Sequence, residues 1–213
     1  MSDESAVSSP SPTQEIQGID VSDHQGTVDW NAVQQAGKVF VFIKATDGIT
    51  WTDPDFAANW SGAEAAGLLR GAYHFYETDD DPTAQAQNFL NAVQLAPGDL
   101  PPVVDIERFD TGGTASQTVK DLQTWLDVVE QATGRTPIIY TSHGFWNSLG
   151  TSAFGLYPLW IAEYGVQSPT LPAGWASWTF WQFSESGTVA GISGSVDLNV
   201  FNGSLAELTA LGG

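Results

Sequence analysis

The chain contains no cysteine. That excludes a disulfide framework, a thiolate-bound metal and a thiol nucleophile. It is also poor in positive charge, with 6 basic residues against 25 acidic ones and a net charge of −19. Phosphate backbones are gripped by Lys and Arg, so nucleic acid is excluded as a partner on charge. An anionic membrane surface is excluded for the same reason. No apolar run approaches the roughly 20 residues of a membrane span. The first fifteen residues (MSDESAVSSPSPTQE) show neither the basic nor the apolar region of a secretory signal. His24, His74 and His143 have no H-E-x-x-H or H-x-x-x-H spacing, and there is no G-x-S-x-G elbow and no phosphate-binding glycine loop. The expectation is therefore a chain that uses neither metal nor cofactor.

What is present is a core-forming composition, 42% apolar over 213 residues, with nine tryptophans and eleven phenylalanines. This length suits one domain. Residues 1–15 are rich in Ser, Pro and acids, a composition expected to be disordered. The single folded domain is expected over 16–213.

From there strand and helix signals alternate. Gln17–Asp23 reads as a first strand, followed by a helix capped by Asp29 and closed at Gly37. Val39–Lys44 is a continuous apolar run of the kind found in buried parallel strands. Asp53-Pro54 reads as an N-cap with Pro at N1, opening a helix to Ala66. Leu69–Phe75 is the third strand, Asp81-Pro82 opens a helix to about Val93, and Pro102–Glu107 is the fourth strand. Ser116–Thr133 has helical spacing at Val119, Leu122, Leu126 and Val129, with Gly134 as the stop. Pro137–Thr141 is the fifth strand, with a short helix from about Ser142. After that Pro158–Glu163, Trp178–Phe183 and Val196–Phe201 read as strands without long helices between them, and Ser204–Glu207 is a capping box for a final helix. Five β-α units followed by loop-joined strands predict an α/β fold: an irregular, flattened (β/α) barrel of TIM-barrel type.

In such barrels chemistry sits at the C-terminal ends of the strands. Val103-Val-Asp-Ile-Glu107 ends in two acids. Side chains alternate across a strand, so Asp105 and Glu107 share one face, with Cα atoms roughly 6.6 Å apart. Two acids so placed cannot both ionise freely, and an acid kept protonated beside an anion is what glycosidic cleavage requires. Asp20 in Ile19-Asp-Val21 and Asp197 in Val196-Asp-Leu198 also alternate with apolar neighbours. If the first and last strands meet at closure, four carboxyls from three strands converge. Tyr73, Tyr140, Trp160 and Gln182 occupy matching strand positions. Aromatic faces and amides orient sugars, although any one such ring alone is more often core than site.

The motifs Asp20-Val-Ser-Asp-His-Gln-Gly26, Ile43-Lys-Ala-Thr-Asp-Gly48, Gly71-Ala-Tyr-His-Phe75, Asp105-Ile-Glu107, Ile139-Tyr-Thr141, Leu159-Trp-Ile-Ala162, Trp181-Gln-Phe183 and Val196-Asp-Leu-Asn199 occur in an order that resembles glycoside hydrolase family 25. These are the Chalaropsis-type lysozymes, or N-acetylmuramidases. The resemblance spans residues 16–211. It implies hydrolysis of the β-1,4 bond between N-acetylmuramic acid and N-acetylglucosamine in bacterial peptidoglycan. It further implies retention of configuration through the substrate's own N-acetyl group. By the same resemblance Glu107 is the general acid, Asp105 its assisting partner, Asp20 and Asp197 the two other acids, and Tyr73, Tyr140, Trp160 and Gln182 the lining of the groove. Asp47 stands where the family usually carries Glu in K-A-[ST]-E-G. A monomer acting on cell-wall peptidoglycan follows, secreted or released in the manner of a phage enzyme. Two other readings remain at this point: a noncatalytic glycan-binding barrel, and a chitinase-like hydrolase. The chitinase pattern D-x-x-D-x-D-x-E is absent, because residues 100–107 read Leu-Pro-Pro-Val-Val-Asp-Ile-Glu.

Overall fold

Period-2 alternation decides which side of each strand faces which core. The computed structural model describes residues 15–213, and the stretch expected to be disordered lies outside the described residues except for Glu15. Nine strands form one sheet: β1 (Ile16–Val21), β2 (Phe40–Asp47), β3 (Trp51–Thr52), β4 (Leu69–Phe75), β5 (Val103–Asp105), β6 (Ile138–Ser142), β7 (Leu159–Ala162), β8 (Phe180–Gly187) and β9 (Val196–Phe201). Eight of them close a barrel in the order β1-β9-β8-β7-β6-β5-β4-β2, with β2 pairing back onto β1. All neighbouring pairs in the barrel are parallel except those of β9, which runs antiparallel to both β8 and β1. The tiny β3 folds back on the end of β2.

Phe40 and Phe42 point into the barrel with Val103, Ile138, Trp160, Phe180 and Phe201. Their sequence neighbours Val41, Ile43, Val104, Ile139 and Ile161 point outward, under the helices. The interior is flattened around its rings: Phe42 stacks on Trp160 at 4.4 Å between centroids and meets Phe180 edge-on at 5.0 Å. Space for these rings comes from two inward glycines. A Cβ on Gly18 would lie 2.5 Å from the Phe40 ring, and one on Gly71 2.6 Å from the Phe42 ring.

The helices are α1 (Trp30–Gln35), α2 (Phe56–Ala65), α3 (Pro82–Ala92), α4 (Ala115–Thr133), α5 (His143–Leu149) and α6 (Leu205–Leu211). Caps read from sequence are in place at Asp29, Asp81 and Ser204, whose side chains accept from Ala32, Ala84 and Glu207 backbone N–H groups. α4 buries Leu122, Trp125, Leu126 and Val129 and stops at left-handed Gly134. None of the helices among the described residues is long and apolar enough to cross a membrane.

Three local expectations are corrected. Asp53 does not cap α2, which starts after Asp55. Its carboxylate is buried instead and accepts the backbone N–H groups of Asp23 (2.9 Å) and Asp55 (2.8 Å), which tie the loop after β1 to the loop after β3. β5 ends at Asp105, so Glu107 stands two residues beyond the regular strand. β1 ends at Val21, and Asp23 begins a 3-10 turn capped by Ser22.

Candidate active site

The antiparallel course of β9 brings its N-terminal end to the same barrel mouth as the C-terminal ends of the other strands. Asp197, near the start of β9, is thereby the direct cross-strand partner of Asp20, near the end of β1. Asp20 is 7% exposed. Its Oδ2 accepts the Gln182 Nε2 amide at 2.9 Å and the Asn199 Nδ2 amide at 2.7 Å. Gln182 Nε2 also reaches Asp197 Oδ2 at 3.2 Å. The other end of Gln182 is equally engaged, since its Oε1 accepts the hydroxyls of Tyr140 (2.8 Å) and Tyr164 (2.6 Å). Asn199 Oδ1 accepts the Trp160 indole N–H at 2.8 Å. A single connected network thus sets both amides and both acids. Burial pushes the Asp20 carboxyl well above its usual range, and the charge of Asp197 adds to this. Burial also raises Asp197, while its hydrogen bond with Asp20 works the other way. Both carboxyls of the pair are thus held above the usual aspartate range, Asp20 the more strongly.

Asp105 ends β5, in register with Phe75 of β4 and Tyr140 of β6. Its backbone carbonyl is fixed by the Tyr76 N–H at 2.8 Å. The side chain is as buried as that of Asp20, at 7%, yet its Oδ1 is buried with no hydrogen-bond partner among the described residues. Burial pushes its carboxyl well above the usual range, Glu107 adds to this, and the Lys44 ammonium opposes it. Glu107 lies at the open mouth. Its carboxyl is also raised, first by desolvation and then by Asp197, with Arg108 and Lys44 pulling it back down. The protein around Glu107 desolvates it despite its open position. A neutral acid there, accessible to a ligand, is what proton donation needs.

Lys44 supplies the cleft's internal cation. Its Nζ sits 2.8 Å from Asp47 Oδ2 and lies over the rings of Phe75 (4.6 Å) and Trp51 (5.0 Å). The Asp47 carboxylate is therefore occupied with holding Lys44, in a short i,i+3 pair at the end of β2. Tyr73 projects among the acids, and burial, with Asp20 and Asp105 close by, keeps its phenol protonated. A cavity of about 470 Å³ opens beside Glu107, lined among others by Tyr140, Ser142, His143, Tyr164 and Glu185.

The four acids and Tyr73, Tyr140 and Gln182 all gather at this mouth. Trp160 does not line the groove: it is 2% exposed, with Phe42 against its face and Tyr140 at its edge (4.6 Å), and so forms the floor under the site. Gln182 is equally buried at 2%, with both ends of its amide engaged, so it braces the acids from within and does not line the groove either. Sequence reasoning missed Asn199 as a site residue, although it lies two positions from Asp197 on the same strand face. It also missed Tyr164 and the cation role of Lys44.

The sequence model described as glycosyl hydrolases family 25 matches residues 19–192. Lysozyme M1 of Streptomyces globisporus is 41% identical, over 95% of this chain and 73% of its own length. The N,O-diacetylmuramidase of Chalaropsis sp is 32% identical, over 92% of this chain and 98% of its own. Among solved structures, the bacterial lysozyme from Streptomyces coelicolor superimposes with a TM-score of 0.89 at 40% identity, covering 94% of this chain and 98% of that one. The family GH25 lysozyme from Aspergillus fumigatus gives 0.86 at 36% identity, covering 93% and 99%. A closed barrel with an antiparallel last strand, acids gathered at its mouth and relatives of this likeness along nearly its whole length lead to one conclusion: the chain belongs to glycosyl hydrolases family 25.

Proposed function

We propose that this chain is a lysozyme that hydrolyses the β-1,4 bond between N-acetylmuramic acid and N-acetylglucosamine in peptidoglycan, with Glu107 as general acid and Asp105 assisting. One observation carries the assignment of roles: among the described residues the buried Asp105 Oδ1 has no hydrogen-bond partner, beside an open, raised Glu107. A buried acceptor left unpaired costs about 1–3 kcal/mol. The acetamide N–H of a bound sugar is a donor of the right kind to supply the missing bond. Glu107 donates its proton to the glycosidic oxygen as the bond to the anomeric carbon breaks. The acetamide carbonyl oxygen attacks that carbon from the face opposite the departing group, and positive charge spreads to its nitrogen, whose N–H points at Asp105. The anionic Glu107 then takes a proton from water, the hydroxide adds to the anomeric carbon, and the acetamide is released with configuration retained.

The remaining residues support binding and position. The Gln182 network holds Asp20 and Asp197 side by side against the developing positive charge. Exposed Trp51 and Tyr164 and the phenol of Tyr73 offer ring faces and a hydroxyl to the sugars. The enzyme acts as a monomer outside the cell, on a wall glycan it reaches without basic patches and without metal or cofactor.

Zymography on bacterial walls and on chitin tests this reading, with the reducing end of the soluble fragments identified. Clearing of walls with new muramic acid reducing ends is expected. Clearing of chitin alone would make the chain chitinase-like, and binding without clearing of either would make it a noncatalytic glycan module.

A further inference from the structure

Next to the proposed acid, the sequence places a second cation, clasped between the loops after β4 and β5. Arg108 Nη2 lies 2.7 Å from Glu77 Oε1 and its Nε 3.2 Å from Asp110 Oδ1. The guanidinium also rests over the Phe75 ring at 4.7 Å, so Phe75 carries Lys44 and Arg108 together. Asp110 continues the clasp: its Oδ2 accepts the Thr78 N–H (2.7 Å) and hydroxyl (3.2 Å), and its own N–H donates back to Thr78 Oγ1 at 2.7 Å. Glu77 is held from below. Gln85 accepts its N–H at 2.9 Å and donates to its carbonyl at 2.8 Å, and Gln85 is itself fixed by His74 at 3.1 Å. Burial keeps His74 neutral, with its pKa lowered to about 4. Among the described residues, Glu77, Asp79 and Asp110 are the one acidic group whose oxygens lie within 4.8 Å of one another, and the guanidinium of Arg108 is paired with two of the three.

An ion pair this exposed adds little to stability. Its geometry instead joins two loops at the barrel mouth: Tyr76–Asp80 after β4, and the segment after β5 that begins with Ile106 and Glu107. We propose that Arg108 is a positioning residue for the acid on Glu107: its planar fork, held by Glu77 and Asp110 against Phe75, locks the loop after β5 and keeps a fixed positive charge beside the carboxyl. This rests on the reading of Glu107 as the acid. The charged and titratable groups facing Glu107 are Lys44 of β2, Asp105 of β5 and Asp197 of β9. Across the cavity stand Tyr140 of β6, His143 of α5, Glu163 and Tyr164 after β7, and Glu185 of β8. Arg108 and Lys44 are the groups here that favour the ionised form of Glu107.

Arg108→Gln removes charge and fork together, while Arg108→Lys keeps the charge and loses the fork, because an ammonium cannot bond two carboxylates in that plane. In Arg108→Gln the carboxyl titration of Glu107, followed by NMR in the intact protein, is expected to move up, and the alkaline limb of the pH–rate profile with it. Its kcat is expected to fall by up to about 10²-fold at nearly unchanged KM, as misplacement of a reacting group does. Arg108→Lys is expected to titrate like the wild type yet share much of the kcat loss. Both should melt near the wild-type temperature. An unmoved Glu107 titration in Arg108→Gln overturns the proposal alone, and so does full kcat in both variants. A titration that moves while the rate profile stays in place instead overturns Glu107 as the acid, and the positioning role falls with it.

Discussion

Asp20 and Asp105 sit at the same barrel mouth, at 7% exposure each, and both carboxyls are pushed up by burial. Asp20 receives two amide N–H bonds on one oxygen, from side chains that are themselves fully engaged. Asp105 has an oxygen that receives none. The two sides of the mouth solve the same desolvation problem in opposite ways. On the β1–β9 side the protein supplies two amide donors to one carboxylate oxygen, so the geometry is set before any ligand arrives. On the β5 side one partner is withheld, and a bound sugar stands to gain by supplying it. Preorganised charge on one side and an unmet acceptor on the other is an arrangement that favours the transition state over the empty site.

The largest expected effect tests the unmet side. Glu107→Gln cannot donate a proton, and general acid help is worth about 10²–10⁴-fold, so wall lysis should fall to background with the fold intact by circular dichroism. Near-normal lysis by the purified variant would remove Glu107 from the mechanism. Asp105→Asn should follow with a loss of about 10–10³-fold in kcat, because an amide at this position cannot give up a proton to become the carboxylate that stabilises the positive charge developing on the substrate nitrogen. If Asp105→Asn lowered affinity alone, at constant kcat, the residue would be a binding group and the comparison with Asp20 would lose its meaning.

The satisfied side should fail differently. Gln182→Leu deletes the group that joins Tyr140, Tyr164, Asp20 and Asp197, and it strands the polar atoms of the buried Tyr140 and Asp20. A stability loss of about 1–3 kcal/mol per orphaned group is expected, with activity falling through misaligned acids. Chemical denaturation of Gln182→Leu beside Asp105→Asn separates the two sides: the first should be less stable than wild type, the second should not.

The alternation of Asp20 and Asp197 with apolar neighbours was readable from sequence, because a strand's period of two places every second side chain on one face. Their convergence needed only the closure of first strand on last. The antiparallel direction of β9, which brings Asp197 to the mouth by its N-terminal end, is a property of pairing and not of the strand's own residues. Trp160 shows the other gap: alternation says that it points inward, but depth along the barrel axis depends on the register with Tyr140 and Phe180, which no local pattern carries. Asp53 misled because Asp-Pro is a good helix opening on its own. A distant backbone N–H at Asp23 captured the carboxylate instead. The two residues of β3 have no strand signal of their own and exist through their pairing with the end of β2.

The smallest expected effect concerns stability and pH, and its sign follows from which state holds more protons. Asp105 has its folded pKa raised well above the ordinary 3.8 of an aspartate, so the native state binds a proton that the unfolded chain releases as pH rises past that value. The favourable contribution is complete below about pH 3.8 and is lost progressively as pH climbs toward the folded pKa. Asp20 and Asp197 act in the same direction. So does Glu77, with its pKa pushed up to about 7 by burial and its bond with Asp110. The wild type should therefore melt lower at pH 8 than at pH 5. Asp105→Asn stays neutral at both, so its melting temperature should depend less on pH and should exceed that of the wild type at pH 8. In a domain of this size each kcal/mol moves the transition by about 2–4 °C, within reach of calorimetry. The same comparison on Asp20→Asn should show a smaller gain, because the amide donors of Gln182 and Asn199 already stabilise the Asp20 carboxylate. Equal gains in the two variants would mean that the hydrogen bonds around Asp20 do nothing to offset its burial, and the contrast between the two sides of the mouth would collapse.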